Sequence, residues 1–107
     1  MDKIKILAIG RDPSIMEVVI RLINNHDRWN GTGVCRDEEA VERFRDHAFD
    51  LVLLTNGITG EEENNLRNIF SKLNPDILII QHYGGGSGLL YSEIREALDR
   101  KNNQAFL

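Results

Sequence analysis

The sequence predicts a single α/β domain over residues 1–107, built as a doubly wound parallel sheet in a three-layer sandwich, with any fifth strand truncated to a stub. Three observations predict it. Apolar runs at residues 3–9, 49–54 and 76–80 are short and, after the alternating start of the first, almost uninterrupted by polar residues, as strands buried on both faces are. Between them lie segments of helical length whose apolar residues recur at three- and four-residue spacing. That alternation implies right-handed strand–helix–strand crossovers with helices on both faces of the sheet.

The first strand starts with alternation, Lys3-Ile4-Lys5-Ile6, and ends as the continuous run Ile6-Leu7-Ala8-Ile9. Asp12-Pro13 then supplies an N-cap and a proline at the first helical position, and Ile15, Val18, Val19, Leu22 and Ile23 fall on one helical face. The helix should fray at Asn24-Asn25-His26, whose asparagines tolerate a left-handed exit. A second strand is centred on residues 32–35, although Gly31 and Gly33 lower its propensity. Asp37 is expected to cap a second helix with Ala40, Val41, Phe44 and Ala48 inward, and Glu38 and Glu39 sit favourably at its positive dipole end. Thr59 with Glu62 three residues later forms a capping box, followed by Leu66, Ile69, Phe70 and Leu73 up to Asn74-Pro75. The run at 76–80 reads as a strand in the middle of the sheet. Gly84-Gly85-Gly86 and a capping Ser87 lead into a last helix with Leu90, Ile94, Ala97 and Leu98 inward, leaving residues 104–107 for a strand stub.

Composition excludes several classes. With 41% hydrophobic and 28% charged residues the chain is neither disordered nor low-complexity. A formal charge of −4 disfavours nucleic acid and anionic membranes, both of which select a basic face. One cysteine, Cys35, permits no intrachain disulfide and no zinc or redox pair, which suits a reducing cytoplasmic location. The apolar start ending at Gly10-Arg11 is too short for a signal peptide core or a membrane span.

Ligands of open parallel sheets collect beyond the carboxyl ends of the strands, so the informative loops are 10–12, 36–37, 55–60 and 81–87. There the sequence resembles the response-regulator receiver family. Ile6-Leu7-Ala8-Ile9-Gly10-Arg11-Asp12-Pro13 is similar to the receivers' first strand and acidic loop, and Phe49-Asp50-Leu51-Val52-Leu53-Leu54 to the strand carrying their phosphoacceptor aspartate. The likeness spans roughly the first four of five strand–helix units and implies a flavodoxin-like sandwich. It further implies an acidic pair for magnesium, a nucleophilic aspartate, a switch serine or threonine, and a lysine. At those positions stand Gly10 and Arg11, followed by Asp12; then Thr55 for the nucleophile, and Gln81 for the switch. No clear fifth-strand lysine follows. Magnesium requires clustered carboxylate oxygens and Thr55 has no adjacent base, so the resemblance leaves the scaffold and removes the reaction. The expectation is a pseudo-receiver: not an enzyme, without cofactor or metal, acting through a protein partner in a two-component or phosphorelay-type pathway.

A second reading is a small-ligand sensor of flavodoxin-like fold. Arg11, Asn56, His82, Gly84, Gly85, Gly86 and Ser87 are its candidate anion- or nucleotide-binding residues, since glycine-rich backbone before a helix attracts anions. The simpler reading has Arg11 pair with Asp12 or Asp37 and the glycines form a flexible turn. His82, directly after a strand, is a candidate functional imidazole, whereas His26 and His47 sit at helix ends where a cation is favoured. Asp12 is more simply a cap than a metal ligand. A homodimer through the last helix and residues 104–107 is expected to cover the sheet's edge.

Overall fold

The computed structural model describes residues 3–82 and 87–104, with backbone only at 87 and 102–104. Within them the elements run β1 (Ile4–Ile9), α1 (Pro13–Asn24), β2 (Trp29–Val34), α2 (Asp37–Asp46), β3 (Leu51–Leu54), α3 (Gly60–Leu73), β4 (Leu78–Gln81) and α4 (Ser87–Gln104). The four strands form one parallel sheet in the order β2-β1-β3-β4. The doubly wound sheet expected from the sequence is therefore present. Residues 105–107, the proposed strand stub, lie outside the described residues, as do Gly84, Gly85 and Gly86; Gln104 still belongs to α4.

Two core layers flank the sheet. Ile6, Ala8, Leu51 and Leu53 meet Met16, Val19 and Ile23 of α1 and Leu90, Ile94 and Ala97 of α4. On the other face Leu7, Ile9, Val52 and Leu54 meet Ala40 and Phe44 of α2 and Leu66 and Phe70 of α3. Alternation along β1 and β3 thus sends neighbouring residues to opposite layers, which is why these strands read as unbroken apolar runs.

Local signals placed the helix starts. Asp12 caps α1 by accepting from the backbone N–H groups of Ser14 and Ile15, with Pro13 at the first helical position. Thr59 and Glu62 close a reciprocal capping box on α3.

Five expectations are corrected. The buried face of α1 is Met16, Val19 and Ile23; Ile15 and Val18 are 45% and 42% exposed, so the helix is rotated from the predicted stripe. Arg36 is the N-cap of α2 and makes no side-chain cap bond, so Asp37 opens the helix instead of capping it. Helix α2 ends at Asp46, leaving Ala48 exposed beyond it. β2 runs Trp29–Val34, so its centre lies about two residues before the expected one, and it opens on Trp29, whose ring is buried and stacked on His26 at 3.8 Å. β4 stands at an edge of the sheet rather than in its middle, because the described chain supplies no strand beyond it.

Candidate functional site

The carboxyl ends of β1 and β3 are stitched together by Asn56. Its side-chain Oδ1 accepts from the Asp12 N–H at 2.7 Å, and its backbone carbonyl accepts from the Arg11 N–H at 3.0 Å. Its Nδ2 donates to Thr55 Oγ1 at 3.1 Å, and that hydroxyl donates onward to the Ile9 carbonyl at 3.0 Å. Thr55 is buried, and this chain of bonds satisfies its hydroxyl, as burial of a polar group requires. Met16 Sδ completes the cluster, 3.2 Å from Thr55 Oγ1.

That cluster occupies the space a side chain at position 10 would need. A Cβ built on Gly10 would lie 2.2 Å from Thr55 Oγ1, 2.5 Å from Met16 Sδ and 2.7 Å from Asn56 Nδ2. Gly57 adopts φ +76° and brings its Cα against the Arg11 stem, where a Cβ would meet Arg11 Cβ and Cγ at 2.9 Å.

Arg11 is the charge centre of this end of the sheet. Its Nη2 lies 2.8 Å from Asp37 Oδ1 and 3.2 Å from Glu62 Oε2, and Nη1 donates to the Cys35 carbonyl at 3.0 Å. Asp37 Oδ1 is shut off from solvent and meets Arg11 as an ion pair, off the hydrogen-bonding direction. Partial burial by itself would pull the guanidinium pKa down, but the close Asp37 carboxylate and the charge of Glu62 outweigh this and raise it. The Glu62 carboxyl is held below its ordinary value chiefly by the Thr59 backbone N–H, against opposing desolvation, with the Arg11 charge adding to the effect.

A divalent cation does not fit this donor set. Position 10 has no side chain and no room for one, Asp12 spends Oδ1 on the α1 cap, and Asp37 and Glu62 already share one guanidinium. Among the described residues no group of three or more His, Cys, Asp or Glu side chains is placed to hold a metal.

His82 belongs to a different pocket. Its Nδ1 is 2.6 Å from Glu93 Oε1 of α4, and its backbone N–H donates to the Leu54 carbonyl at 2.8 Å. With Ile15, Val19, Thr55, Asn56, Gly57, Ile58 and Gln81 it lines a cavity of about 350 Å³. Arg11 instead lines a shallower depression with Cys35, Arg36, Asp37, Glu38 and Glu62. Of the candidate ligand residues, the structure therefore brings Asn56 and His82 together and turns the Arg11 guanidinium away from them. Ser87 opens α4, its side chain outside the described residues. Sequence reading missed Met16, Glu93 and the second role of Glu62, since each acts across a contact distant in sequence that no local pattern marks.

Four parallel strands alternating with four helices, wound on both faces, define a flavodoxin-like α/β fold of the receiver type. No protein-family profile matches the chain, and no curated protein does. Among solved structures it is similar to a protein described as a candidate pilus assembly-related protein of Burkholderia pseudomallei K96243. The two share 23% identity with a TM-score of 0.61, over 95% of this chain and 88% of the other. It is also similar to a candidate pilus assembly protein, CpaE, of Burkholderia thailandensis E264, at 23% identity and a TM-score of 0.62, over 88% of this chain and 79% of that one. At this identity the likeness is one of fold. No helix among the described residues is long and apolar enough to cross a membrane.

Proposed function

We propose that this chain is a receiver-like module that works by docking a protein partner, with no phosphoryl transfer and no catalytic role of its own, in a cytoplasmic signalling pathway of the two-component type. The observation that carries this reading lies at the two positions where the receiver resemblance calls for an acidic pair: Gly10 has no room for a side chain, and Arg11 brings a guanidinium bound to Asp37 and Glu62. A permanent positive charge held there repels magnesium, and a buried, fully bonded Thr55 hydroxyl offers no nucleophile in place of a carboxylate. The likeness to two proteins described as pilus assembly candidates supports a partner within such an assembly.

The test is to add magnesium with beryllofluoride, or with acetyl phosphate, and follow backbone amide resonances. Gly10, Arg11 and Thr55 are expected to stay in place; a saturable shift centred on them would show that the site still works.

A second reading is favoured by the cavity beside His82. Its mostly apolar wall with a few convergent polar groups suits a small, largely apolar ligand, and the Glu93 contact fixes the imidazole orientation. A thermal-shift screen of small metabolites separates the two readings: stabilisation that disappears in His82→Ala supports a ligand sensor.

A further inference from the structure

The two edges of the sheet are unlike. β2 reads Trp-Asn-Gly-Thr-Gly-Val, with polar and glycine residues at its centre, the composition expected of a strand facing water. β4 with its approach reads Ile77-Leu78-Ile79-Ile80, an interior strand's composition, yet each of these residues is only half-buried because no strand stands outside them among the described residues. Leu78 and Ile80 pack on the α1–α4 layer and Ile77 and Ile79 on the α2–α3 layer, so both faces are dry and only the edge is open.

Backbone parity shows which groups face that edge. The His82 N–H donates to the Leu54 carbonyl of β3, so even-numbered residues of β4 bond inward and Ile79 turns its N–H and C=O outward, while the Ile77 N–H before the strand is taken up by the Asn74 carbonyl at 3.1 Å. The Ile79 carbonyl is met there by Arg67 Nη1 at 3.3 Å, a long contact from a guanidinium already held by Glu63 at 2.7 Å.

We propose that the outer edge of β4 is extended by a second copy of this chain, laid antiparallel across a twofold axis near Ile79. The charges flanking the edge choose this occupant. At the carboxyl end, beside His82, stands Glu93; at the other end Lys101 reaches the Asp76 carbonyl at 3.2 Å. Eight residues of α4, about 12 Å of helix rise, separate Glu93 from Lys101, and their side chains reach His82 and Asp76, each three residues from Ile79. Reversing a second copy along the edge therefore sets each Glu93 level with the other copy's Lys101, while the apolar centre meets itself. An edge that is complementary to its own reverse is what an isologous contact requires. As a second strand arrives, its N–H replaces Arg67 at the Ile79 carbonyl. The surface is thus β4 with α4 supplying flanking charges, in place of a contact made by α4 and the tail.

The experiment is light scattering and sedimentation of the intact chain from low micromolar to sub-millimolar concentration, with amide exchange at Ile79 followed over the same range. The expected result is a mass rising from 12.2 kDa toward its double, and Ile79 protection rising with it. Ile79→Pro removes the outward N–H without touching the β3 ladder and is expected to stay monomeric while keeping a cooperative unfolding transition. Lys101→Glu is expected to raise the dissociation constant about fivefold, and adding Glu93→Lys to restore it, two rim pairs being broken and remade per dimer. A mass that stays monomeric, a dimer that persists in folded Ile79→Pro, or Ile79 protection independent of concentration overturns the proposal, the last because the chain would then cover its own edge. Should Ile79→Pro fail to fold, the wild-type exchange measurement decides alone.

Discussion

Gly10→Ala tests whether packing closes position 10 to any side chain. The new methyl group would stand 2.2 Å from Thr55 Oγ1, 2.5 Å from Met16 Sδ and 2.7 Å from Asn56 Nδ2. Met16 and Asn56 can yield at their flexible ends. Thr55 cannot, because it is β-branched and its hydroxyl is bound to the Ile9 carbonyl at 3.0 Å. Displacing it sacrifices that buried bond, about 1 kcal/mol, on top of an overpacking cost of about 1–3 kcal/mol, for a total of about 2–4 kcal/mol. At a urea slope of about 1.5 kcal/mol per molar, the unfolding midpoint should fall by about 1–3 M. The sharper assay is the cycle with Thr55→Ala, which removes the obstructing oxygen. Gly10→Ala should cost at least about 1 kcal/mol less in that background than alone. A Gly10→Ala protein within about 0.5 kcal/mol of wild type, or additivity with Thr55→Ala, would refute the argument that Thr55 fills this space.

Three further outcomes are expected. Arg11→Ala removes the ion pairs to Asp37 and Glu62 and the bond to the Cys35 carbonyl, a loss of about 1–2 kcal/mol after allowing for partial solvent screening, read by urea denaturation. Glu62 has a folded pKa below its ordinary 4.5, so its stabilising contribution is present above that value and is lost as pH falls from 4.5 through the folded value. Melting temperatures recorded down that window should fall more steeply for wild type than for Glu62→Gln; equal slopes would show that the Thr59 and Arg11 contacts do not hold the carboxylate. Tyr91→Phe loses the 2.8 Å bond from its hydroxyl to the Leu22 carbonyl, which ties α4 to α1, and should cost about 1 kcal/mol, with a change in the emission of neighbouring Trp29.

Features fixed by local chemistry were legible in the sequence. Asp12-Pro13 and Thr59 with Glu62 name their helix starts because a cap acts within three residues. The rotation of α1 was not legible: Ile15, Met16, Val18, Val19, Ile20, Leu22 and Ile23 surround more than one face, so periodicity alone allows several orientations. What selects among them is β2. A Cβ at Gly31 would meet Ile23 Cγ2 at 2.8 Å, and one at Gly33 would meet Ile20 Cγ1 at 2.8 Å, so the glycines that weakened β2 as a strand are the surface on which α1 rests. β4 was misplaced for a related reason, since composition reports how dry a strand's faces are and says nothing of its edge.

The side chains at positions 10, 11 and 55 depend on one another. A carboxylate placed at position 10 meets the Thr55 cluster; one placed at position 55 removes the hydroxyl that links Asn56 to Ile9 and loosens the loop that orients Asp12; one placed at position 11 leaves Asp37 and Glu62 facing a third negative charge without the guanidinium that holds them together. Each single substitution therefore lowers stability before any cation can compensate, and a cation needs all the oxygens together. On the proposed docking reading, this end of the sheet is better described as organised around a fixed internal cation than as a metal site lacking its ligands.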